Sequence, residues 1–241
     1  LVTVEGAPAG AERHIALVGK GITYDTGGLS LKPAASMQHM KFDMTGAATV
    51  YAVAAAAAAL QLPVRVTAYL CLAENMPSGT AIRPDDVLTI RGGRTVEVTN
   101  TDAEGRLVMA DAIALASETS ADAIIDVATL TGAQVIALGD RYSGLMGNDD
   151  ALVDAIRAAH VAADEDVWPM PLPDDLLPVL DSPVADIANA KVGNRSAGML
   201  LAGVFLSTFV GERGGSPIPW AHLDIAGPAM NTGAAKGTAP T

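Results

Sequence analysis

Cysteine, aromatic residues and positive charge are all scarce in this chain of 241 residues. The single cysteine, Cys71, excludes an internal disulfide, which fits a reducing compartment, and its apolar neighbours indicate a small buried side chain. Lysine and arginine number 15 against 27 aspartates and glutamates, so the net charge is −12. So acidic a chain lacks the basic patch of a typical nucleic-acid-binding surface, and we expect no nucleic-acid partner.

Long hydrophobic runs are missing as well. Residues 1–10 have no basic start followed by an apolar stretch, so no signal peptide is predicted. The alanine-rich run at 52–60 is too short and too weakly apolar to span a membrane, which needs about 20 residues. We therefore expect a cytoplasmic protein without a membrane anchor.

Apolar residues nevertheless make up half of the chain, enough for a sizeable core. Short apolar strands alternate with helical segments, without an internal repeat or a clear domain boundary. This alternation predicts an α/β fold, a three-layer α/β/α sandwich with a mixed, largely parallel sheet. The predicted strands are 15–18, 64–72, 95–99, 123–128 and 220–225; the predicted helices are 45–61, 107–117, 151–163 and 197–210. Loops are predicted at 19–32, 74–94 and 168–183 and in the tail.

Two carboxylates stand one residue apart in NTDAEGRL at 100–107. The alternating residues 95–99 precede them as a strand would, and apolar residues at helical spacing follow. Asp102 and Glu104 are therefore predicted to lie on a strand-to-helix turn, the edge where open α/β sheets bind ligands. Taken alone, the pair fits helix capping as well as ligand binding.

A second stretch, GKGITYDTGGLSLK at 19–32, also follows an apolar strand, and Asp43 comes soon after it. Asp25 and Asp43 bring the carboxylates near strand ends to four, beside Lys20 and Lys32. Carboxylate oxygens suit divalent ions such as Mn²⁺, Mg²⁺ and Zn²⁺. From spacing alone, Lys20 is interpreted as an anion-binding group.

These stretches, with MKFDMTGAA at 40–48, ATLTGA at 128–133 and WAHLDIAG at 220–227, resemble the leucyl aminopeptidase family of dinuclear-metal cytosol aminopeptidases. The motifs occur in one order over nearly the whole chain. The resemblance implies that residues 1–241 are a metal-dependent aminopeptidase catalytic domain. Because this region lies inside a longer chain in the family, we expect an N-terminal domain and the opening of the catalytic domain to be missing from it.

The resemblance also implies two divalent ions, Mn²⁺ or Zn²⁺, with Mg²⁺ as a further option. Asp25 and Glu104 would contact both ions, Asp43 and Lys20 would hold one, and Asp102 would bind the other. Lys20 must be deprotonated to coordinate, and adjacent dications lower its pKa. Two ions about 3.5–4 Å apart can activate a shared water near neutral pH, which would supply a nucleophile without serine, cysteine or histidine.

Two further residues receive catalytic roles by the same resemblance. Lys32 would polarise the scissile carbonyl and stabilise the oxyanion. Arg106 would hold a bicarbonate that acts as general base, and a guanidinium fork matches a planar carbonate. Without the resemblance, Lys32 is interpreted as a solvated side chain and Arg106 as a member of a surface ion pair.

The implied activity is removal of the N-terminal residue, with a leucine-like preference, from peptides with a free N-terminus. The free amine would coordinate one metal, which makes the enzyme an exopeptidase. The family also implies a homo-oligomer, a hexamer. An apolar pocket for the first side chain would be lined by residues that also fit an ordinary core: Met40, Thr129, Leu130, Gly132 and Ala226.

Three alternatives stay open at this point. Asp25-Thr26-Gly27 spells the aspartic-protease signature, but that chemistry needs two aspartates, hence a symmetric dimer here, and it ignores Asp102. A chelator separates the two chemistries, because an aspartic protease needs no metal. A P-loop fails because GxxxxGK[ST] is not met. Some relatives bind DNA as regulators, a role that the acidic balance opposes and that a low-salt gel shift would test.

The histidines need no role in the implied chemistry. They are scattered along the chain without HExxH spacing, which favours structural or surface positions. They are His14, His39, His160 and His222.

Overall fold

A central sheet with helices on both faces organises the protein, whose computed structural model describes residues 1–193 and 196–230. The strands are β1 Val2–Gly6, β2 Arg13–Asp25, β3 Val64–Asn75, β4 Val87–Thr89, β5 Thr95–Glu97, β6 Ala123–Ala128, β7 Ser143–Gly147, β8 Val167–Pro169, β9 Ile187–Ala188, β10 Glu212–Arg213, β11 Ser216–Pro217 and β12 Trp220–Asp224. The helices are α1 Ala34–Met37, α2 Thr45–Ala59, α3 Gly105–Ser117, α4 Gly132–Leu138, α5 Asp150–Ala163 and α6 Gly198–Ser207, with 3₁₀ turns at Met40–Phe42 and Asp174–Leu180.

The central sheet has seven strands in the order β1-β3-β2-β6-β12-β7-β8. The pairs β3–β2, β2–β6, β6–β12 and β7–β8 are parallel, whereas β1–β3 and β12–β7 are antiparallel. Two small sheets, β4-β5-β9 and β10-β11, lie apart from it. The prediction of a mixed, largely parallel sheet is confirmed.

Helices cover both faces of the sheet, which gives the predicted three layers. On one face, alanines and a valine of α2 pack against alternate side chains of β2, β3 and β6. On the other face, α3 and α6 bury the larger core, which includes Phe205 and Trp220. Alternation along each strand sends successive side chains into these two cores.

Small residues let α2 approach the sheet closely. A Cβ at Gly19 would lie 2.6 Å from the Ala47 Cα, and one at Gly46 would lie 2.1 Å from the Val127 carbonyl oxygen. The alanine-rich helix is therefore packed on the sheet, as its composition suggested. The segment Met40–Ala59 has the length and hydropathy of a membrane-crossing helix, but a core helix meets the same test, so this is weak evidence for a membrane role.

Two expectations about strands need correction. Residues 19–25, predicted as loop, continue β2, because β3 pairs with this strand as far as the Asp25–Asn75 pair, through a bulge after Ile22. The strand before the acidic turn, β5, belongs to the small sheet beside β4 and β9 and not to the central sheet. The acidic turn at Asp102 and Glu104 therefore approaches the edge of the central sheet from the small sheet and not from a strand of the central sheet.

Short elements were also missed. The predicted loop at 74–94 contains the end of β3 and all of β4, and that at 168–183 contains most of β8 and a 3₁₀ turn. Both α4 and β7 had no prediction, because seven and five residues carry too little periodicity to detect. Of the predicted tail, residues 231–241 lie outside the described part of the chain.

We expect Gly46→Ala to destabilise the fold by about 1–3 kcal/mol, since its methyl group would overlap a backbone carbonyl that cannot rotate away. Urea unfolding of the metal-free chain measures this. Gly79→Ala is the control, because a Cβ there meets no atom within 4 Å. Equal unfolding midpoints for the two variants would contradict the close approach of α2.

Candidate metal centre

The parallel strands bring charged and polar residues to one edge of the sheet. β2 ends at Asp25, which pairs with Asn75 at the end of β3. β6 runs into Thr129, and β12 ends at Asp224 beside it. Because parallel strands share a direction, their carboxyl ends meet here, the usual ligand-binding edge of an open α/β sheet.

Lys20 lies at the centre of the first charge cluster. Its ammonium nitrogen lies 2.9 Å from both Asp43 Oδ2 and Glu104 Oε1 and donates a hydrogen bond of 3.0 Å to the Thr129 carbonyl. The Thr129 hydroxyl donates to Asp43 Oδ1 over 2.7 Å. Since Lys20 is only 3% exposed, this is a buried ion-pair cluster. Lys20 thus binds the carboxylates of the protein itself, and its interpretation as a group that binds an external anion stays a prediction.

Lys32 joins the other two carboxylates. Its ammonium nitrogen lies 2.9 Å from Asp25 Oδ2 and 2.5 Å from Asp102 Oδ1. The lysine side chain is 14% exposed, which places it at the mouth of the site. The alternative of a merely solvated lysine is wrong.

The acidic turn is held by a residue that pattern analysis did not find. Asn189, fully buried after β9, accepts from the Thr99 amide over 2.8 Å and donates to the Asn100 carbonyl over 2.7 Å. Glu104 stands at the start of α3, yet its side chain makes no capping hydrogen bond. The helix-capping interpretation of Glu104 is therefore wrong, and its carboxylate faces the sheet edge.

A glycine permits the approach of α3 to Lys20. A Cβ at Gly105 would lie 2.5 Å from Lys20 Cε and 2.9 Å from its nitrogen. A side chain at position 105 would therefore displace the end of the Lys20 side chain from its contact with Glu104.

Burial sets the protonation of the carboxylates. It raises the pKa of Glu104 to about 7, against the opposing effect of Lys20, and it raises the pKa of Asp43 and Asp102 in the same direction. Burial opposes the charge on Lys20, but Glu104 and Asp43 outweigh it and raise the lysine pKa. Both lysines are therefore charged in the metal-free protein and neutralise part of the excess negative charge.

The donor set fits divalent cations. One oxygen from each of Asp25, Asp102 and Glu104 lies within 4.8 Å of the others. Four carboxylates outnumber the two lysines, so the site keeps negative charge. Asp43 Oδ2 and Asp102 Oδ1 are buried and accept no well-directed hydrogen bond, although each lies near an ammonium group. Oxygen ligands that lack directed partners are available to a cation.

Arg106 follows the same turn but points into the protein. It is 8% exposed, donates 2.8 Å to the Asn189 carbonyl, and places its guanidinium carbon 5.8 Å from the centre of the Phe205 ring. Burial lowers the pKa of Arg106 to about 10. Its Nε has no hydrogen-bond partner among the described residues, and the predicted alternative of a surface ion pair is wrong.

Two of the five predicted pocket residues are linked through a buried aspartate that sequence analysis overlooked. Asp224 accepts from the amides of Leu130 and Ala226 over 3.1 and 3.2 Å, and from the Thr131 hydroxyl over 2.7 Å. Gly132 then begins α4, whose N-cap is Thr131. Leu130 and Ala226 thus bond the same carboxylate. Thr129 contacts Asp43 instead, and Met40 is the first residue of the 3₁₀ turn that ends next to Asp43.

A cavity of about 570 Å³ opens on another side of the cluster. Asn75 and Glu104 lie in its wall, with Ile22 and apolar residues of β4 and α3. None of the five predicted pocket residues lines it. The structure therefore leaves their assignment to a side-chain pocket as a prediction.

The buried histidines have structural partners, as expected. His14 bonds the Thr67 hydroxyl over 2.8 Å, and His222 pairs with the Asp126 carboxylate. Trp220 donates to the same aspartate over 2.7 Å. Asp126 thus ties together two side chains of β12 inside the core.

Fold and site together define an α/β protein with a carboxylate–lysine cluster suited to divalent cations at the carboxyl edge of its sheet. The profile of the cytosol aminopeptidase family, catalytic domain, matches residues 1–241. The chain therefore belongs to the cytosol aminopeptidase family.

Curated relatives agree over nearly the whole chain. It is 64% identical to a probable cytosol aminopeptidase of Clavibacter michiganensis subsp. michiganensis over 241 residues, 98% of this chain and 48% of the relative. It is 58% identical to that of Mycobacterium tuberculosis, over 95% of this chain and 43% of the relative. The chain thus spans about half the length of the curated relatives it matches.

Solved structures share the fold. A leucyl aminopeptidase from Trypanosoma brucei in complex with actinonin matches with a TM-score of 0.90 and 40% identity, over 95% of this chain and 45% of that one. The bottromycin maturation enzyme BotP in complex with Mn matches with 0.87 and 44%, over 94% and 49%. These likenesses confirm the α/β fold class.

We expect the metal-free chain to lose stability as the pH rises from about 5 to 7.5. Glu104 holds its proton up to a pKa of about 7 when folded, against 4.5 ordinarily, so the folded state binds more protons in this window. Asp43 and Asp102 act in the same direction. Thermal unfolding in the presence of a chelator measures the slope.

Glu104→Gln should flatten that slope, whereas Asp140→Asn, at an exposed position, should leave it unchanged. A melting temperature that increases with pH across this window would contradict the burial effect.

Proposed function

We propose that this chain is the catalytic domain of a metalloaminopeptidase that removes the N-terminal residue from peptides with two divalent ions. The observation that carries the proposal is the cluster of four carboxylates and two lysines at the sheet edge, of which Asp102 and Lys32 lie at its mouth. Family membership and the Mn complex of BotP support it. Mn²⁺ is the probe metal of choice, with Zn²⁺ and Mg²⁺ as further candidates.

As the family resemblance implies, Asp25 and Glu104 would contact both ions, and one oxygen of each lies within 4.8 Å of the other. Asp43 would hold one ion with Lys20, once that lysine has lost its proton, and Asp102 would hold the other. The ions would activate a water for attack and bind the free amine of the substrate. Binding them requires the carboxylates to be ionised, so ion binding releases protons from the raised-pKa groups.

Lys32 would stabilise the oxyanion formed at the scissile carbonyl. It combines a full charge with access to solvent at the mouth of the site, as a group that touches substrate requires. Asp25 and Asp102 hold the ammonium in place before substrate binds. A charge fixed in advance needs no reorganisation during the reaction.

Arg106 would bind bicarbonate, which would accept the proton of the attacking water. A buried guanidinium with a free Nε and one carbonyl partner has donors left for a planar anion. The Phe205 ring and the Asn189 carbonyl fix its plane. Bicarbonate would also compensate the positive charge of the Arg106 guanidinium, which burial otherwise disfavours.

The proposals for substrate preference, localisation and oligomeric state follow from the family resemblance. We propose a leucine-like preference at the first side chain, with the pocket formed by Met40, Thr129, Leu130, Gly132 and Ala226. We also propose a cytoplasmic homo-oligomer, a hexamer. Exposed apolar side chains such as Ile136 and Val192 offer surface for such contacts, and light scattering measures the state of assembly.

Titration of Mn²⁺ into stripped protein should show two binding steps per chain, because the ligand sets of the two ions differ. Glu104→Gln and Asp25→Asn should lose metal and activity together. Lys32→Ala and Arg106→Ala should keep both ions and lose about 10²–10³ in kcat, the cost of removing one stabilising group. Calorimetry and hydrolysis of a leucine anilide are the measurements.

Glu118→Gln is the control, since Glu118 lies at the exposed end of α3 and pairs with Arg91. A stoichiometry of one or zero in folded protein would exclude the dinuclear site. Full kcat in Arg106→Ala, with no bicarbonate dependence in the parent, would exclude the role of Arg106 alone.

A further inference from the structure

We propose that Asn75 is a positioning residue that fixes the two bridging carboxylates in the orientation needed to share a pair of ions. The inference rests on the proposed dinuclear function and assigns a role to a residue outside the implied ligand set. Asn75 lies at the end of β3 and is 8% exposed.

The amide nitrogen of Asn75 lies between the two carboxylates. It is 2.8 Å from Asp25 Oδ1, 2.9 Å from the Thr101 carbonyl oxygen and 3.4 Å from Glu104 Oε2. All three partners are acceptors, so the nitrogen and not the oxygen of the amide must face them. An amide has two hydrogens, so the longest of these contacts is the weakest.

Each carboxylate divides its oxygens in the same way. Asp25 Oδ2 pairs with Lys32, and its Oδ1 accepts from Asn75 and from the Gly27 amide, each over 2.8 Å. Glu104 gives Oε1 to Lys20 and Oε2 to Asn75. Asn75 therefore contacts the oxygen of each carboxylate that does not face a lysine, Oδ1 of Asp25 and Oε2 of Glu104. This contact opposes rotation of Asp25 toward Lys32 and of Glu104 toward Lys20.

The backbone that carries this amide is held by a neighbouring loop. The main-chain carbonyl of Asn75 accepts from the Thr26 amide over 2.9 Å and from the Thr26 hydroxyl over 2.7 Å. Gly28 stands at a φ of 64°, and a Cβ there would lie 2.8 Å from Asn75 Oδ1. Only glycine fits this conformation and this contact without strain, so the loop closes tightly on the amide.

A neutral donor suits this position better than a charged one. A lysine would add a third ammonium and compete with the ions, and a carboxylate would add repulsion and donate nothing. The amide orients two anions while leaving their charge for the metals. Without it, the two carboxylates lose the donor that links them, and the second ion would lose ligands held in a shared orientation.

The test compares Asn75→Leu and Asn75→Ala with the parent in Mn²⁺ titrations of stripped protein. Asn75→Leu keeps much of the volume, and Asn75→Ala serves if the larger side chain prevents folding, which circular dichroism reports. We expect the second ion to bind 10–100-fold more weakly, the usual effect of removing an outer-shell partner. Electron paramagnetic resonance of the Mn²⁺-loaded protein should change from a coupled pair to isolated ions.

Asn148→Leu is the matched control. Asn148 also makes two hydrogen bonds, accepting 2.7 Å from the Trp220 amide and donating 3.0 Å to the Ile218 carbonyl, far from the carboxylates. The Asn148→Leu variant should have a lower melting temperature and still bind two coupled ions. It therefore distinguishes a loss of carboxylate positioning from a general loss of stability.

The outcomes distinguish this inference from the proposed function. A parent that binds two coupled ions, with both steps unchanged in folded Asn75 variants, would overturn the role of Asn75 alone. A folded parent that binds fewer than two ions would overturn the dinuclear function and this inference with it. An equal loss of the second ion in Asn148→Leu would also overturn the specific role of Asn75.

Discussion

Gathering four carboxylates at one sheet edge, three of them buried, is the constraint on which the rest of this structure depends. Like charges in a low-dielectric environment repel, and burial together with the neighbouring carboxylate Asp25 raises the pKa of Glu104, Asp43 and Asp102. Lys20 and Lys32 relieve part of that repulsion, each with two carboxylates within 2.9 Å. The balance remains negative, which is the condition that attracts divalent ions in preference to anions.

The fold meets this constraint by bringing backbone segments unusually close together. Gly46 seats α2 against the sheet near Lys20, and Gly105 lets the first turn of α3 lie on the lysine chain. Gly28 lets the loop after β2 close over Asn75. Each glycine stands where a side chain would push a neighbouring backbone or polar group away, so the site is built on close packing as much as on its charges.

Neutral amides provide the second level of organisation. Asn189 fixes the acidic turn and, through its carbonyl, the plane of Arg106. Asn75 fixes the oxygens of Asp25 and Glu104 that do not face a lysine. Such residues add hydrogen bonds without adding charge. They therefore orient a strongly charged cluster and leave unchanged the net negative charge that attracts cations.

The sequence alone determined the family and the fold class of this protein and supplied its candidate ligands. Its family motifs, its acidic pair at Asp102 and Glu104 and the alternation of strands and helices were sufficient for the family, the α/β class and the candidate ligands. These features are local, since residue type and spacing along the chain express them directly. Only the tertiary structure decided that β2 continues to Asp25, that β5 lies in a side sheet, and that Asn75 meets an aspartate 50 positions away. An asparagine after a strand has no pattern of its own, because its role depends on which acceptors the fold brings to its amide.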